Sequence, residues 1–345
     1  MAFTTINKSS LHMNTKLYTG NATARTIDVG FQPDLIWGKL RSTSGNHWLW
    51  DSIRGANYYL KSNATDGNNS STTDLTGFVS NGFTVGTGTR MNTNSQTMAS
   101  WNWKANGSGS ANTVGSINST VSVNTTSGFS IVKWTGDRSQ TQTIGHGLGS
   151  IPKIIIIKNL DATQGWTVYS SEIGANERLV LNNTNAKGTC TACFGNTRPT
   201  ATVFTVGDDA DTNGTGNNMI AYCFAEKTGY SKFGSYTGNG NDGDGVFIYT
   251  GFKPAFVIIK KSSNAGEWLM LDNKRSTFNV NQSKIFANDN AAENTDTSNG
   301  MDFLSNGIKL RRNNGESNEG GQSYIYMAFG QSLVGSNNVP CTARY

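Results

Sequence analysis

Acid–base and nucleophilic chemistry finds few footholds in this sequence. Its three histidines, His12, His47 and His146, stand apart, and no Gly-x-Ser-x-Gly elbow accompanies them. A serine or cysteine nucleophile needs a base beside it. His47 precedes Trp48 in a turn and reads as a surface residue, while His146 in "IGHGLG" reads as a packing residue. Glycoside hydrolysis needs two facing carboxylates. Asp51 and Asp272 close the segments "WLWD" and "WLMLD", but the matching place in the middle of the chain holds Tyr169-Ser170. Both aspartates are therefore expected to hold turns through bonds to backbone N–H groups.

Cys190 and Cys193 form a Cys-x-x-Cys, which suggests a redox pair or half of a zinc site. Zinc asks for a second ligand pair, and the surrounding "NAKGTCTACFGNT" has loop composition rather than that of a helix start. The expectation is four reduced thiols, Cys190, Cys193, Cys223 and Cys341. The acidic loops "GDDADTNG" (207–214) and "GNDGDG" (240–245) crowd oxygen ligands without EF-hand spacing. The glycine-rich loops lack the Lys-Ser/Thr step of a phosphate cradle. No catalytic residue, metal site or cofactor is assigned, and an enzyme is not expected. One binding patch is assigned: Arg54, Asn57, Tyr58 and Tyr59 in "DSIRGANYYLKSN", where rings lie beside polar groups as saccharide recognition requires. Strand alternation would bury one of the two tyrosines.

The elements that must carry these residues show in the composition. The 345 residues include 40 Gly and only 5 Pro, with 35% hydrophobic and 15% charged residues. That balance suits short strands joined by polar turns, because Gly and Asn accept the positive φ of tight hairpins. The net charge of +5 forms no basic stripe, so nucleic-acid binding is not expected. "MAFTTINKSSLHMN" has no apolar stretch of a signal peptide. The longest aliphatic run, Ile154 to Ile157, is far short of the ~20 residues of a membrane span.

A repeat dominates the chain. Aligned on Pro33, Pro152 and Pro254, each copy continues with three apolar residues: Leu35-Ile36-Trp37, Ile154-Ile155-Ile156 and Phe256-Val257-Ile258. A lysine follows in each, Lys39, Lys158 or Lys260, and then a tryptophan, Trp48, Trp166 or Trp268. An aromatic-Thr-Gly step opens each copy (Tyr18-Thr19-Gly20, Trp134-Thr135-Gly136, Tyr236-Thr237-Gly238), and "SWNW", "AYCFA" or "YIYMAF" closes it. Helical periodicity is absent, and strand signals with turn chemistry recur. The fold class expected is all-β: three tandem β-sandwich, jelly-roll-like units, at 1–116, 117–229 and 230–345, the last with a polar tail.

The segments "GFTVGTGTRMNTNSQTMASWNW", "VFTVGDDADTNGTGNNMIAYCFA" and "GIKLRRNNGESNEGGQSYIYMAF" each read as a hairpin. "TVSVNT" reads as a strand added to unit two. Three consecutive apolar residues after each proline suggest a strand covered on both faces. The second cover would be a neighbouring unit or another subunit; a bulge or an overlying loop is the alternative.

"TKLYTGN", "VGFQPDLIWGKLRS", "FSIVKWTGD", "IGHGLGSIPKIIIIKN" and "SYIYMAFGQSLVGSNNVPCTAR" together resemble repetitive virion-associated proteins of marine tailed bacteriophages, over almost the whole chain. The resemblance lends no catalytic residue. It implies a virion structural protein assembled in the host bacterial cytoplasm. The favoured role is a tail fibre or spike component that contacts the host surface. Capsid decoration, as a head fibre or cement, is the alternative, and a glycan-degrading tailspike the least favoured. Implied partners are other virion proteins, a homo-oligomer with a trimer favoured, and a host surface glycan; nucleic acid and membrane insertion are not implied.

Overall fold

A strand that is apolar at successive positions must be covered on both faces, and that requirement organises the molecule. The computed structural model describes residues 4–334. The polar tail, Cys341 and the closing Pro340-x-Thr-Ala-Arg lie outside the described residues.

The same strand order recurs three times. In each unit an opening strand (Met13–Thr19, Phe129–Thr135, Ser231–Thr237) pairs with the closing strand (Thr97–Trp103, Asn218–Ala225, Ser323–Gln331). The closing strand pairs in turn with the proline strand (Leu35–Leu40, Pro152–Asn159, Lys253–Lys261). The tryptophan strand (His47–Asp51, Thr167–Ser170, Trp268–Asp272) and an outer strand (Tyr58–Lys61, Glu177–Val180, Ile285–Phe286) follow in the large sheet, which in units one and two ends on a further two-residue strand, Asn69–Ser70 or Gly188–Thr189. All these pairings are antiparallel. In unit two, Ser119–Asn124 adds beside the opening strand, and Ser110–Asn112 beyond it.

A small sheet covers one face of each large sheet. It holds Arg25–Asp28, Gly82–Val85 and Leu75–Val79 in unit one, and Gln142–Gly145 with Val203–Val206 in unit two. In unit three it holds Phe247–Tyr249, Gly307–Leu310 and Met301–Phe303. The protein is thus all-β and built of sandwiches.

Alternation along the proline strands divides the apolar run between two cores. Ile36, Ile155 with Ile157, and Val257 with Ile259 enter the core of their own sandwich. Leu35 with Trp37, Ile154 with Ile156, and Phe256 with Ile258 face the opposite way, into one core shared by all three units. The second cover is therefore the neighbouring units. A register shift also follows Pro152 and Pro254, where the missing N–H interrupts the ladder.

Trp103, Phe224 and Phe329 occupy the same register position, opposite Leu35, Ile154 and Phe256. Their rings meet one another with centroids 6.2, 5.9 and 5.9 Å apart. Edge-on aromatic packing at this range is favourable beyond burial alone. The three units close around this triangle as a fused pseudo-trimer.

The three segments read as hairpins turn out differently. Gly82–Val85 lies in a small sheet and Thr97–Trp103 in a large one, and the same holds in units two and three. Each segment is a crossover between layers rather than a hairpin. A fully buried asparagine in the connection, Asn92, Asn213 or Asn318, explains why the chain turns away. Its amide N–H groups satisfy loop oxygens, such as Gly86 O and Thr23 O for Asn92, or Asn241 O for Asn318. The repeated aromatic-Thr-Gly step fits here as well. A Cβ on Gly20, Gly136 or Gly238 would stand 2.0, 2.5 or 2.3 Å from a carbonyl oxygen of that connection.

Candidate functional site

The patch expected at Arg54, Asn57, Tyr58 and Tyr59 divides between two environments. Asn57 and Tyr58 are exposed, Tyr58 by 46%. Tyr59 is buried against Trp50, with the Arg90 guanidinium over its ring at 4.5 Å. Arg54 is buried too. Its Nε meets Asp51 Oδ2 at 2.5 Å, and its Nη groups donate to Leu49 O and Asn68 Oδ1, both at 2.9 Å. One tyrosine is inside, as alternation requires, and Arg54 serves the joint between units. The four side chains share no surface.

That joint is where the repeated polar residues converge. Each repeated lysine is fully buried and donates to two carbonyls, one of its own unit and one of a neighbour. Lys39 Nζ bonds Leu40 O at 2.9 Å and Asn290 O of unit three at 3.3 Å. Lys158 Nζ bonds Gln164 O at 2.7 Å and Thr65 O of unit one at 2.9 Å. Lys260 Nζ bonds Gly266 O at 2.5 Å and Thr184 O of unit two at 2.8 Å. The three bonds run in a ring: one to three, three to two, two to one. Burial lowers each amine to about 8. Amines in that range are nucleophilic, but these are sealed in the joint and reach no substrate.

Beside the lysines a second ring runs in the same direction. Trp166 Nε1 donates to Lys61 O of unit one at 2.8 Å, and Trp268 Nε1 to Val180 O of unit two at 3.0 Å. Register gives the third place to His47, because Lys39 pairs with His47 as Lys260 pairs with Trp268. Trp48, which the sequence aligns with these tryptophans, points instead into the core of unit one. His47 is fully buried, against the expectation of a surface residue. Trp37 Nε1 donates to its Nδ1 at 2.9 Å, so the proton sits on Nε2, which faces the Phe286 carbonyl without a well-shaped hydrogen bond. Burial, with Lys39 nearby, holds the imidazole well below its ordinary value.

The aspartates hold their turns, as expected, and reach across units as well. Asp51 Oδ1 accepts from Ile53 N and Arg54 N, and Asp272 Oδ1 from Lys274 N and Arg275 N. Asp51 Oδ2 also accepts the Tyr222 O–H of unit two at 2.8 Å, and Asp272 Oδ2 the Trp101 N–H of unit one at 3.0 Å. Burial alone would raise the Asp272 carboxyl; Arg275 and the Trp101 N–H together outweigh it and leave it below its ordinary value. At the third joint the corresponding positions are Ser170, Ile173 and Met327, which bring no charge. Glu293 adds a bridge that sequence reasoning missed, pairing with Arg41 of unit one at 2.7 Å and Arg275 of unit three at 3.2 Å. Such buried pairs fix geometry more than they add net stability.

Cys190 and Cys193 are joined in a disulfide, which corrects the expectation of reduced thiols there. A single helical turn, Thr191–Phe194, brings their Cα atoms to 5.4 Å, within bridging range. Cys223 is a buried free thiol. Among the described residues, one grouping of metal-type ligands comes together, Cys190, Cys193 and Asp209, and there both sulfurs are in the disulfide. In the acidic loops, Asp209 caps the turn at Ala210–Asn213, Asp208 pairs with Arg138, Asp211 with Arg178 and Asp244 with Lys309.

A polar cleft of about 270 Å³, between units one and three, is lined by Ser9, Asn14, Lys253 and Lys274. No described helix is long and apolar enough to cross a membrane.

The chain belongs to the DUF7483 family, a domain of unknown function, whose model matches residues 8–332. No curated protein and no solved structure matches it.

Proposed function

We propose that the chain is a bacteriophage virion structural protein without catalytic role, a component of a tail fibre or spike that contacts the host cell surface. The observation that carries this reading is the fused pseudo-trimer. Three sandwiches are locked about one aromatic axis, and Lys39, Lys158, Lys260, Asp51, Asp272, Trp166 and Trp268 are committed to the joints. A rigid frame of this kind presents its outer faces and loops for recognition. It also gives one chain the threefold arrangement that a symmetric oligomer builds from separate copies. The sequence resemblance to virion-associated proteins points the same way.

Capsid decoration is a second reading, favoured by the same pseudo-threefold axis, which could seat on a threefold position of a head lattice. Labelled antibody against the protein, imaged on intact particles, separates the two. Label at the tail tip, with free protein slowing phage adsorption, is the expected result. Label spread over the head selects decoration, and particles without label overturn both. Release of oligosaccharides from host envelope glycans by the purified protein would overturn the non-catalytic assignment.

A further inference from the structure

The three copies of the small sheet serve as controls for one another. Their first strands, Arg25–Asp28, Gln142–Gly145 and Phe247–Tyr249, superpose by register, with Ile27, Ile144 and Ile248 turned into the core. The residues on either side of that isoleucine point away from that core, and in unit two Asn112 and Val114 cover Gly145. Unit one has Thr26 and Asp28 there, and unit two has Thr143 and Gly145. Unit three has Phe247 and Tyr249, exposed by 43% and 60%. Burial inside the sandwich asks for no aromatic residue at either place, since two of the three copies do without one.

Both rings lie on glycines. A Cβ on Gly307 would stand 2.7 Å from Phe247 Cζ, and one on Gly251 would stand 3.5 Å from the Tyr249 hydroxyl. One side of each ring is thus against backbone. Two residues apart on a strand, their Cα atoms stand ~7 Å from each other, on the same face. Lys309 pairs with Phe247 across the sheet, and its amine meets the Asp244 carboxylate at 2.5 Å. Asn306 is exposed at the turn beside Tyr249.

We propose that this face of unit three binds a saccharide with uncharged sugar rings. A pyranose has a C–H face that packs on an aromatic ring and a rim of hydroxyls that donate and accept. Phe247 and Tyr249 supply the platform; Asp244, Lys309 and Asn306 supply the polar partners. The Lys309–Asp244 pair sums to no net charge, so the site has no bias toward a polyanion. Area argues against a protein partner. Two rings of this exposure offer on the order of 200 Å², against ~800 Å² per side of a stable interface.

The inference rests on the virion reading only for the saccharide's source, a bacterial surface polysaccharide. The test is a glycan array of neutral and acidic bacterial polysaccharides with plant and animal glycans, probed with the intact chain and confirmed by calorimetry. Binding to at least one neutral bacterial glycan is expected. Phe247→Ala and Tyr249→Ala each weaken it about tenfold or more without shifting Tm. Tyr249→Phe retains binding, and so does Phe278→Ala, an exposed ring elsewhere on unit three. Binding confined to neutral glycans of other origin supports this site while counting against host contact. Four results overturn the site: no glycan bound at millimolar concentration, binding to acidic glycans alone, binding unchanged in Tyr249→Ala, or self-association that Tyr249→Ala abolishes.

Discussion

His47 takes the place that Trp166 and Trp268 hold in the other units, and the residue beside it compensates. Trp37 sits at the register position of Ile156 and Ile258. Unit one therefore fills the slot with a large residue on the proline strand and a small ring on the next, where units two and three do the reverse. His47→Trp alone overpacks the slot and is expected to cost ~1–3 kcal/mol. Trp37→Ile alone leaves a cavity and strips His47 Nδ1 of its donor, at a cost of ~2–5 kcal/mol. The double variant restores the arrangement of the other units, so a urea-denaturation cycle should show it more stable than either single variant. The pH profile adds a second readout. The folded imidazole stays neutral below 6.5, where an unfolded one binds a proton, so its contribution to stability falls as pH drops through that value. That acid sensitivity should shrink in the double variant. The slot was legible in the sequence by strict counting, since fourteen residues past each proline stand His47, Trp166 and Trp268. A tryptophan one place later drew the alignment off, and only strand register shows that Trp48 faces the other core.

At the scale of elements, the proline strands carry their lysines into the joints, and the effect on stability has a sign. Burial lowers Lys39, Lys158 and Lys260 to about 8, from an ordinary value of 10.5. Between those values an unfolded chain holds protons that the folded one has released, so stability rises with pH across that window. Below about 8 both states are protonated and the gain is absent. Above 10 the buried tyrosines reverse the trend. Burial raises Tyr18, Tyr222, Tyr230 and Tyr236, so the unfolded chain loses protons there that the folded one keeps. Urea midpoints from pH 7 to 11 should therefore rise and then fall, and Lys158→Met should reduce the rise. A profile that declines steadily from pH 7 would refute the assignment. The strands themselves were plain from apolar runs, prolines and turn residues. The crossovers were not, because a glycine- and asparagine-rich connection reads the same whether it returns in one sheet or passes to another. The buried Asn92, Asn213 and Asn318 distinguish the two cases only once their partners are seen.

At the scale of the molecule, the shared core decides whether the units are domains in the energetic sense. Each large sheet turns a face of large apolar residues toward the axis, in unit two Ile154, Ile156, Tyr222 and Phe224. Split from its neighbours, unit two would present that face to water and leave the Trp166 N–H and the Lys158 ammonium without the carbonyls of Lys61 and Thr65. Apolar area on this scale is an aggregation surface in a monomer. The full chain should therefore unfold in one calorimetric transition, with van't Hoff and calorimetric enthalpies in agreement, although its length would ordinarily suggest several steps. A fragment of residues 110–229 should be insoluble or self-associate, and an added fragment of the other two units should capture it. Three separate transitions, or a stable monomeric fragment, would mean that the aromatic triangle and the lysine ring only align units that fold alone. The chain would then be a string of modules, and the rigid fused trimer on which the surface-recognition reading rests would lose its footing.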